Sequence, residues 1–235
     1  MNELALSDQL RVLKLSKGAS KFFGTIPSAI GEMNSLTYLD LQKSSLSGTI
    51  PEFFKDLTQL EQLYITGNCI TGNLDISLCA LPPSISAVHA ARNSIAGTLP
   101  LCLGKMSELR TLNLDENSLT GSIPSYVSEL NHLSVLKLGK QSLTGTLPKL
   151  SGRTNMNHLY FPRNQLSGTI PLTYLSLTLQ SLQLYGNHLT GGIDPVRNVD
   201  NKVEIYNNQL TGTVSWRGDR YEVVALIRLN LPGNG

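Results

Sequence analysis

The chain has 235 residues, of which 40% are hydrophobic and 15% charged, and its net charge at pH 7 is +2. That balance, without a run of like charges, gives no reason to expect a nucleic-acid partner or an anionic membrane surface. No stretch approaches the roughly 18–20 consecutive apolar residues that cross a bilayer, and the first residues lack the apolar core of a signal peptide. The length, composition and charge favour an ordinary packed protein.

In chain order, one pattern recurs about every 24 residues. It reads Leu-x-x-Leu-x-Leu-x-x-Asn-x-Leu-x-Gly-x-Ile-Pro and is clearest at 109–124, LRTLNLDENSLTGSIP. This period predicts a leucine-rich-repeat solenoid, in which each unit packs only on its neighbours. We therefore expect a single array over 1–235 with nine to ten repeats. Their first positions are Leu10, Leu36, Leu60, Ile85, Leu109, Leu133, Met156, Leu179, Asp200 and Leu226.

Within each unit the Leu-x-Leu pair predicts a short strand, because apolar and polar residues alternate with period two. Stacked units then give a parallel sheet with its leucines in the core and the intervening side chains on the concave face. A buried asparagine is expected at the turn that follows, since its amide can bond backbone groups that the turn leaves open. The glycine four residues further on is present in every complete unit, which indicates a backbone conformation that a side chain would block.

The second half of the repeat carries a family resemblance. The phrases SLSGTIP (45–51), SLTGSIP (118–124), SLTGTLP (142–148) and QLSGTIP (165–171) resemble plant-type leucine-rich repeats. Receptor-like kinase ectodomains, receptor-like proteins and polygalacturonase-inhibiting proteins belong to that family. The resemblance implies an α/β repeat solenoid wound as a right-handed superhelix. It also implies a second short strand after each asparagine turn, 3-10 or short helical turns on the convex face, and a place at the cell surface or outside the cell.

Several stretches depart from the pattern. The segment 72–75 lacks the proline, as does 212–215, and 216–224 is irregular. No paired-cysteine cap, kinase segment or Asn-x-Ser/Thr glycosylation acceptor is present in the chain. We therefore expect an array that is uncapped at both ends and belongs to a longer protein.

The three cysteines have no paired spacing that would indicate a cap or a zinc site. Cys79 and Cys102 lie at comparable places in adjacent units, so a disulfide between them is one interpretation. The favoured interpretation is that all three, Cys69 included, are small side chains that fill the core.

No residue constellation indicates an enzyme, a metal or another cofactor. The four histidines fall in different units, and none has a serine or cysteine partner fixed by spacing. We expect them to be surface or turn residues.

The concave positions are the ones that the repeat leaves free, so they can encode a partner. Five of the eight tyrosines fall among these thirty positions, where a uniform distribution would place about one. Tyrosine and arginine often dominate interface energies, although tyrosine also simply suits exposed strand positions. The sequence predicts a ligand site around a diagonal of Tyr160, Tyr185 and Tyr206, with Lys137, His158, Arg163, Gln183 and Glu204 around it. A weaker second patch comprises Tyr38, Tyr64, His89 and Arg92.

The leading functional interpretation is a non-catalytic recognition module that binds a protein or peptide through the concave face, within a cell-surface receptor. Three alternatives stay open: a structural spacer, a carbohydrate-binding module, and an inhibitor that docks onto a secreted hydrolase. A spacer would show no chemical bias at the concave positions, and the tyrosine excess speaks against it. The sequence does not indicate an oligomeric state.

Overall fold

The computed structural model describes residues 9–16, 22–150, 155–176, 179–192 and 202–211. The chain divides into two compact units, 1–119 and 120–235, which are described separately below. Predictions about Asp200, the irregular segment 216–224 and the repeat that begins at Leu226 lie outside the described residues.

Each unit contains a main parallel sheet built from one three-residue strand per repeat. The alternating pattern explains these strands, because their central leucine, or valine in two of them, points toward the core while its neighbours point away. Paired strands are in register one repeat apart, with Leu39 opposite Leu63 and Leu159 opposite Leu182. The predicted sheet register is confirmed. The strands of unit 1 are Val12–Lys14, Tyr38–Asp40, Gln62–Tyr64, Ala87–His89 and Thr111–Asn113; those of unit 2 are Val135–Lys137, His158–Tyr160, Ser181–Gln183 and Lys202–Glu204.

Short strands also follow most of the asparagine turns, as the resemblance implied. They pair in parallel, for example Phe23 opposite Ser45 in unit 1 and Ser167 opposite His188 in unit 2. In Ser45–Ser47 and Ser142–Thr144, for example, polar side chains flank the buried leucine of the Leu-x-Gly motif. The strands are Phe23–Thr25, Ser45–Ser47, Ala96–Gly97, Ser118–Ser122, Ser142–Thr144, Ser167–Thr169, His188–Gly192 and Gln209–Thr211.

Helical turns complete the repeats. Four of them are 3-10 helices that begin directly after a proline, which has the backbone angle that a helical first turn needs. They are Ser28–Glu32, Glu52–Asp56, Leu101–Lys105 and Ser125–Glu129. Two α-helices, Leu74–Cys79 and Leu172–Ser176, occupy the same place in their repeats. The first of these is in the repeat that lacks the proline.

The asparagine column joins neighbouring repeats. Asn68 donates from Nδ2 to the carbonyl oxygens of Leu41 and Ile65, each at 2.9 Å, and its Oδ1 accepts the Leu46 amide at 3.1 Å. Asn164 repeats this pattern in unit 2 with Leu138, Phe161 and Leu143. A buried amide that is satisfied in this way fixes both the turn and the distance to the previous repeat.

The glycine column has the conformation expected of it. Gly191 has φ +88°, a backbone conformation that residues with a side chain rarely adopt. A Cβ there would also lie 2.8 Å from Thr169 Cγ2, which is too close. One residue before the asparagine, long side chains adopt positive φ as well. Lys43, Arg92, Lys140 and Arg163 all lie between +53° and +55°, a conformation that costs roughly 1–2 kcal/mol for a residue with a Cβ.

The favoured interpretation of the cysteines is wrong. Cys79, at the end of its α-helix, and Cys102, in the 3-10 helix of the next repeat, form a disulfide with their Cα atoms 5.6 Å apart. Cys69 is a free thiol and is exposed. Period alone could not show that the helix in the proline-free repeat brings Cys79 within bonding reach of its neighbour.

Candidate functional site

The open face of each main sheet is the face turned away from the leucine core. Side chains on one such face stand side by side on neighbouring strands, which are about 4.8 Å apart, so residues paired in register can stack. The predicted site residues of both units lie on these faces, except Arg92 and Arg163, which follow their strands at the positive-φ position.

In unit 1 the aromatic side chains form a continuous row, which we call the tyrosine row. It consists of Lys14, Tyr38, Tyr64 and His89. The Lys14 ammonium lies 4.7 Å from the centre of the Tyr38 ring. Tyr38 stacks on Tyr64 with ring centres 5.1 Å apart, and Tyr64 stacks on His89 at 4.6 Å. Four successive strands therefore contribute to one stack.

A carboxylate lies beneath this row. Asp40 is only 7% exposed, and its oxygens accept hydrogen bonds from the Ser16 hydroxyl at 2.8 Å and from the backbone and side-chain nitrogens of Gln42. Burial, and then the negative charge of Asp40, raise the pKa of Tyr38 and of Tyr64. Both phenols therefore stay protonated, and the Tyr64 hydroxyl donates to Gln62 Oε1 at 3.0 Å.

Arg92 was predicted to belong to this patch, but its side chain is engaged elsewhere. Its Nε is 3.2 Å from Glu116 Oε1 in an exposed ion pair. Such a pair on the surface contributes little to stability. Arg92 therefore flanks the tyrosine row without extending its stack.

In unit 2 the open face carries a second group, which we call the lysine–tyrosine–histidine cluster. Lys137 Nζ lies 4.5 Å from the centre of the Tyr160 ring, from the neighbouring strand. His158, on the same strand as Tyr160, lies parallel to it at 6.0 Å, and the Tyr160 hydroxyl is 3.3 Å from His158 Nδ1. A cation thus covers one part of the tyrosine and an imidazole contacts another.

The other two predicted tyrosines of unit 2 form a pair of their own. Tyr185 and Tyr206 stack with ring centres 4.8 Å apart and planes 3° apart. Within the described residues, no ring contact joins Tyr160 to this pair. The predicted diagonal is therefore two groups, with Gln183 and Glu204 in register beside Tyr160. The Arg163 backbone amide donates to the Tyr185 carbonyl.

Sequence reasoning missed four residues of these faces. Lys14, Asp40 and Gln62 were in the free positions but drew no attention because they are not aromatic. Ser181, beside His158 in register, is 5% exposed, and its hydroxyl has no hydrogen-bond partner among the described residues. The signal that could have found Lys14 is the tyrosine on the next strand, as for Lys137, although Lys14 pairs in register with Asp40 whereas Lys137 pairs with Tyr160.

The geometry limits what the aromatic groups can do. Tyr64 has a ring on each side, whereas Tyr185 and Tyr206 each have one face covered by the other ring. The described part of the chain contains no group of three or more metal-ligating side chains. None of its helices has the length and apolarity to span a bilayer.

Comparisons with known proteins agree with this architecture. The family model described as Leucine Rich Repeat matches residues 35–57 and 108–130. Receptor-like protein 31 of Arabidopsis thaliana is 30% identical over 115 residues, which are 49% of this chain and 13% of that protein. The chain therefore spans a small part of the curated relative's length.

Two solved plant ectodomains share the fold. The leucine-rich-repeat ectodomain of the receptor kinase GASSHO1/SCHENGEN3 from Arabidopsis thaliana, solved with CASPARIAN STRIP INTEGRITY FACTOR 2, is 31% identical with a TM-score of 0.78. The match covers 88% of this chain and 25% of that one. The ectodomain of the Arabidopsis receptor kinase HAESA, solved with an IDA peptide hormone, is 32% identical with a TM-score of 0.76. It covers 82% of this chain and 33% of that one.

The repeat, its register, the asparagine column and these similarities lead to one conclusion. The chain is a leucine-rich-repeat protein of the plant type, and it resembles the ectodomains of receptor-like proteins and receptor kinases.

Proposed function

We propose that the chain is a non-catalytic recognition module that binds a peptide or a protein segment on the open faces of its main sheets. The observation that carries this proposal is the arrangement of the aromatic side chains there, in the tyrosine row of unit 1 and in the two groups of unit 2. The residues expected to contact ligand are Lys137, His158, Tyr160, Arg163, Gln183, Tyr185, Glu204 and Tyr206, with Tyr64 and His89 in unit 1.

The stacking favours this function over a spacer. Rings that are held by stacking and hydrogen bonds lose little freedom on binding, so such a surface is pre-organised for a partner. A spacer has no use for that order. The similarity to ectodomains such as HAESA, which was solved with a peptide hormone, supports a peptide as the ligand class.

The same geometry disfavours the carbohydrate alternative. A sugar stacks on an open aromatic face, but Tyr64 has Tyr38 on one side and His89 on the other. Tyr185 and Tyr206 likewise cover each other. In the middle of the tyrosine row the accessible groups are therefore ring edges and hydroxyls, which suit the amide and carbonyl groups of a peptide.

A displayed library of random peptides, selected on the immobilised chain, provides a probe. The selected peptide is titrated against the double variants Tyr64→Ala/His89→Ala and Tyr185→Ala/Tyr206→Ala. Loss of an interface hot spot worth about 2 kcal/mol lowers affinity roughly 30-fold, so at least one double variant should lose that much.

Phe23→Ala is the matched control, because Phe23 is 86% exposed and lies in a strand outside the main sheet. Its affinity should equal that of the unaltered chain. Equal affinity for both double variants would contradict the proposal, provided that their circular dichroism spectra are unchanged.

A further inference from the structure

We infer that the open face of unit 2 contains a subsite for an anionic oxygen group of the ligand, formed by Lys137, His158 and Ser181 around Tyr160. This inference rests on the proposed function, since it assigns a chemical class to one part of the ligand.

The first observation is the buried hydroxyl of Ser181. The residue lies on the open face, in register with His158, and is 95% buried by the side chains around it, yet its Oγ has no hydrogen-bond partner in the described residues. A buried hydroxyl without a partner is costly, and native proteins rarely keep one without a use. An acceptor atom supplied by a ligand would satisfy it.

The second observation is the orientation of the histidine. The Tyr160 hydroxyl lies 3.3 Å from His158 Nδ1, so Nε2 is the nitrogen that can meet a ligand. The His158 side chain has no further hydrogen bond in the described part of the chain. Its ring is held by the stack with Tyr160, and its protonated form would donate from Nε2 to an anion.

The third observation is an ammonium without a counter-ion. Lys137 lies over the Tyr160 ring, and it makes no ion pair with any described residue. The strands packed around His158 carry Lys137 and Tyr160, and the strand beyond Ser181 carries Lys202, which is in register with Ser181, and Glu204, which is in register with Tyr160 through Gln183. The Lys137 ammonium and the His158 ring therefore both contact Tyr160, and the one acidic residue of these strands, Glu204, is two strands away from His158.

Unit 1 contains a similar group of lysine, tyrosine and serine side chains, and there the group also includes a carboxylate. There Lys14 lies over Tyr38, and Ser16 donates its hydroxyl to the buried carboxylate of Asp40. Asp40 pairs in register with Lys14, whereas the residue that pairs with Lys137 is Tyr160. Unit 2 thus has a lysine over a tyrosine and a serine hydroxyl, but no carboxylate for that hydroxyl. The ligand would bring the missing anionic group.

The test uses small anions and the histidine signals of the intact chain. Sodium acetate and sodium sulfate are titrated separately at constant ionic strength and about pH 5.5, where histidines carry a proton. The proton NMR resonance of His158, identified by its loss in His158→Gln, should shift and saturate with a dissociation constant of about millimolar order. The exposed residues His132 and His188 are internal controls and should not saturate.

Two variants decide the assignment. Ser181→Ala and Lys137→Met should each weaken anion binding about tenfold, as expected for a lost hydrogen bond or charge contact to an ionised group. Ser181→Ala removes an unsatisfied group, so the fold should be kept. Tighter binding of acetate would indicate a carboxylate as the ligand group, and tighter binding of sulfate would indicate a sulfate or phosphate ester.

A shift that grows linearly and equally at all histidines would overturn the subsite. So would a selected peptide that binds Ser181→Ala and Lys137→Met with full affinity, and in that case the proposed function would still stand. Saturable anion binding by a chain for which no peptide can be selected would instead contradict only the proposed function.

Discussion

The open faces of the two units are built on the same strand geometry, but their polar side chains are not equally hydrogen-bonded. In unit 1 the tyrosine row is internally complete, because Asp40 accepts three hydrogen bonds beneath it and Tyr64 donates to Gln62. In unit 2 the lysine–tyrosine–histidine cluster has a similar cation and ring, but the Ser181 hydroxyl has no partner among the described residues. The Asp40 carboxylate of unit 1 has its hydrogen bonds without a ligand, whereas the Ser181 hydroxyl of unit 2 has none among the described residues.

This difference teaches that the repeat framework does not determine the chemistry of its surface. Leucines, asparagines and glycines place the strands identically in both units. The surface is then set by single substitutions, such as Asp40 where unit 2 has Tyr160. The framework and the face can therefore be tested separately.

The largest expected effect concerns a framework feature that only unit 1 has. Replacing the disulfide by Cys79→Ser/Cys102→Ser removes a crosslink that spans 23 residues, and we expect the free energy of unfolding of unit 1 to fall by about 3 kcal/mol. Hydrogen exchange at the amides of Gln62–Tyr64, compared with those of His158–Tyr160, measures it unit by unit.

Unit 2 should change by less than about 1 kcal/mol in this experiment, because interactions in repeat arrays are mainly between neighbours. Cys69→Ser, at the free and exposed cysteine, is the control and should change neither unit. Equal losses in both units would show that the disulfide stabilises the whole array and would remove this difference between them.

The next effect tests whether the framework is the same in both units. Asn68→Ala and Asn164→Ala each leave buried backbone groups without their amide partner, so each should lower the free energy of unfolding by about 2 kcal/mol. Urea denaturation measures the loss. Asn34→Ala, at an exposed asparagine, should stay within about 0.5 kcal/mol of the unaltered chain. Losses of unfolding free energy that differ several-fold between the units would contradict the equivalence of their frameworks.

The smallest effect is a gain, and it is confined to unit 2. Tyr174 is buried at a place where other repeats have Ile30, Phe54, Leu103 or Val127, and its hydroxyl has no hydrogen-bond partner among the described residues. Tyr174→Phe should therefore raise the free energy of unfolding by about 1 kcal/mol. Tyr126→Phe is the control and should bring no gain, because Tyr126 is only half-buried.

The pH dependence of stability provides a second test of the Tyr174→Phe prediction. Burial raises the pKa of Tyr126 to about 12 and raises that of Tyr174 as well, from the ordinary value of 10.0. The folded state thus holds these protons more tightly than the unfolded chain. These phenols should leave stability unchanged below pH 10 and reduce it as the pH rises above 10. Denaturation of Tyr174→Phe between about pH 9 and pH 11 should show a shallower fall; an identical slope would contradict this assignment.

Much of the fold could be predicted because its determinants are local and periodic. The positions of Leu39, Leu63 and Val88 predict the register of the main-sheet strands. Asn68 predicts the turn that follows its strand. The disulfide between Cys79 and Cys102 was only the less favoured interpretation, because the repeat pattern does not show the α-helix that takes the place of a 3-10 turn in that repeat.

The candidate site was predictable as a face, but its internal contacts were not. The sequence places Tyr160 and Tyr185 on adjacent strands, yet they lie two residues apart in register, and each stacks on a closer partner. Nothing in the spacing of the sequence shows that Ser16 and Gln42 hydrogen-bond to the Asp40 carboxylate. Such contacts depend on rotamers, which the period of the repeat does not determine.

The asparagine column also has a consequence for how such an array can change its length. Asn68 and Asn164 each bond to their own turn and to the repeat before, so the bonding pattern recurs where a repeat carries the asparagine. Removing or inserting one whole repeat restores every bond, whereas a change of a few residues breaks several. Gene rearrangements that keep the reading frame of the repeat can therefore move a row of surface residues as a block, leaving the scaffold intact.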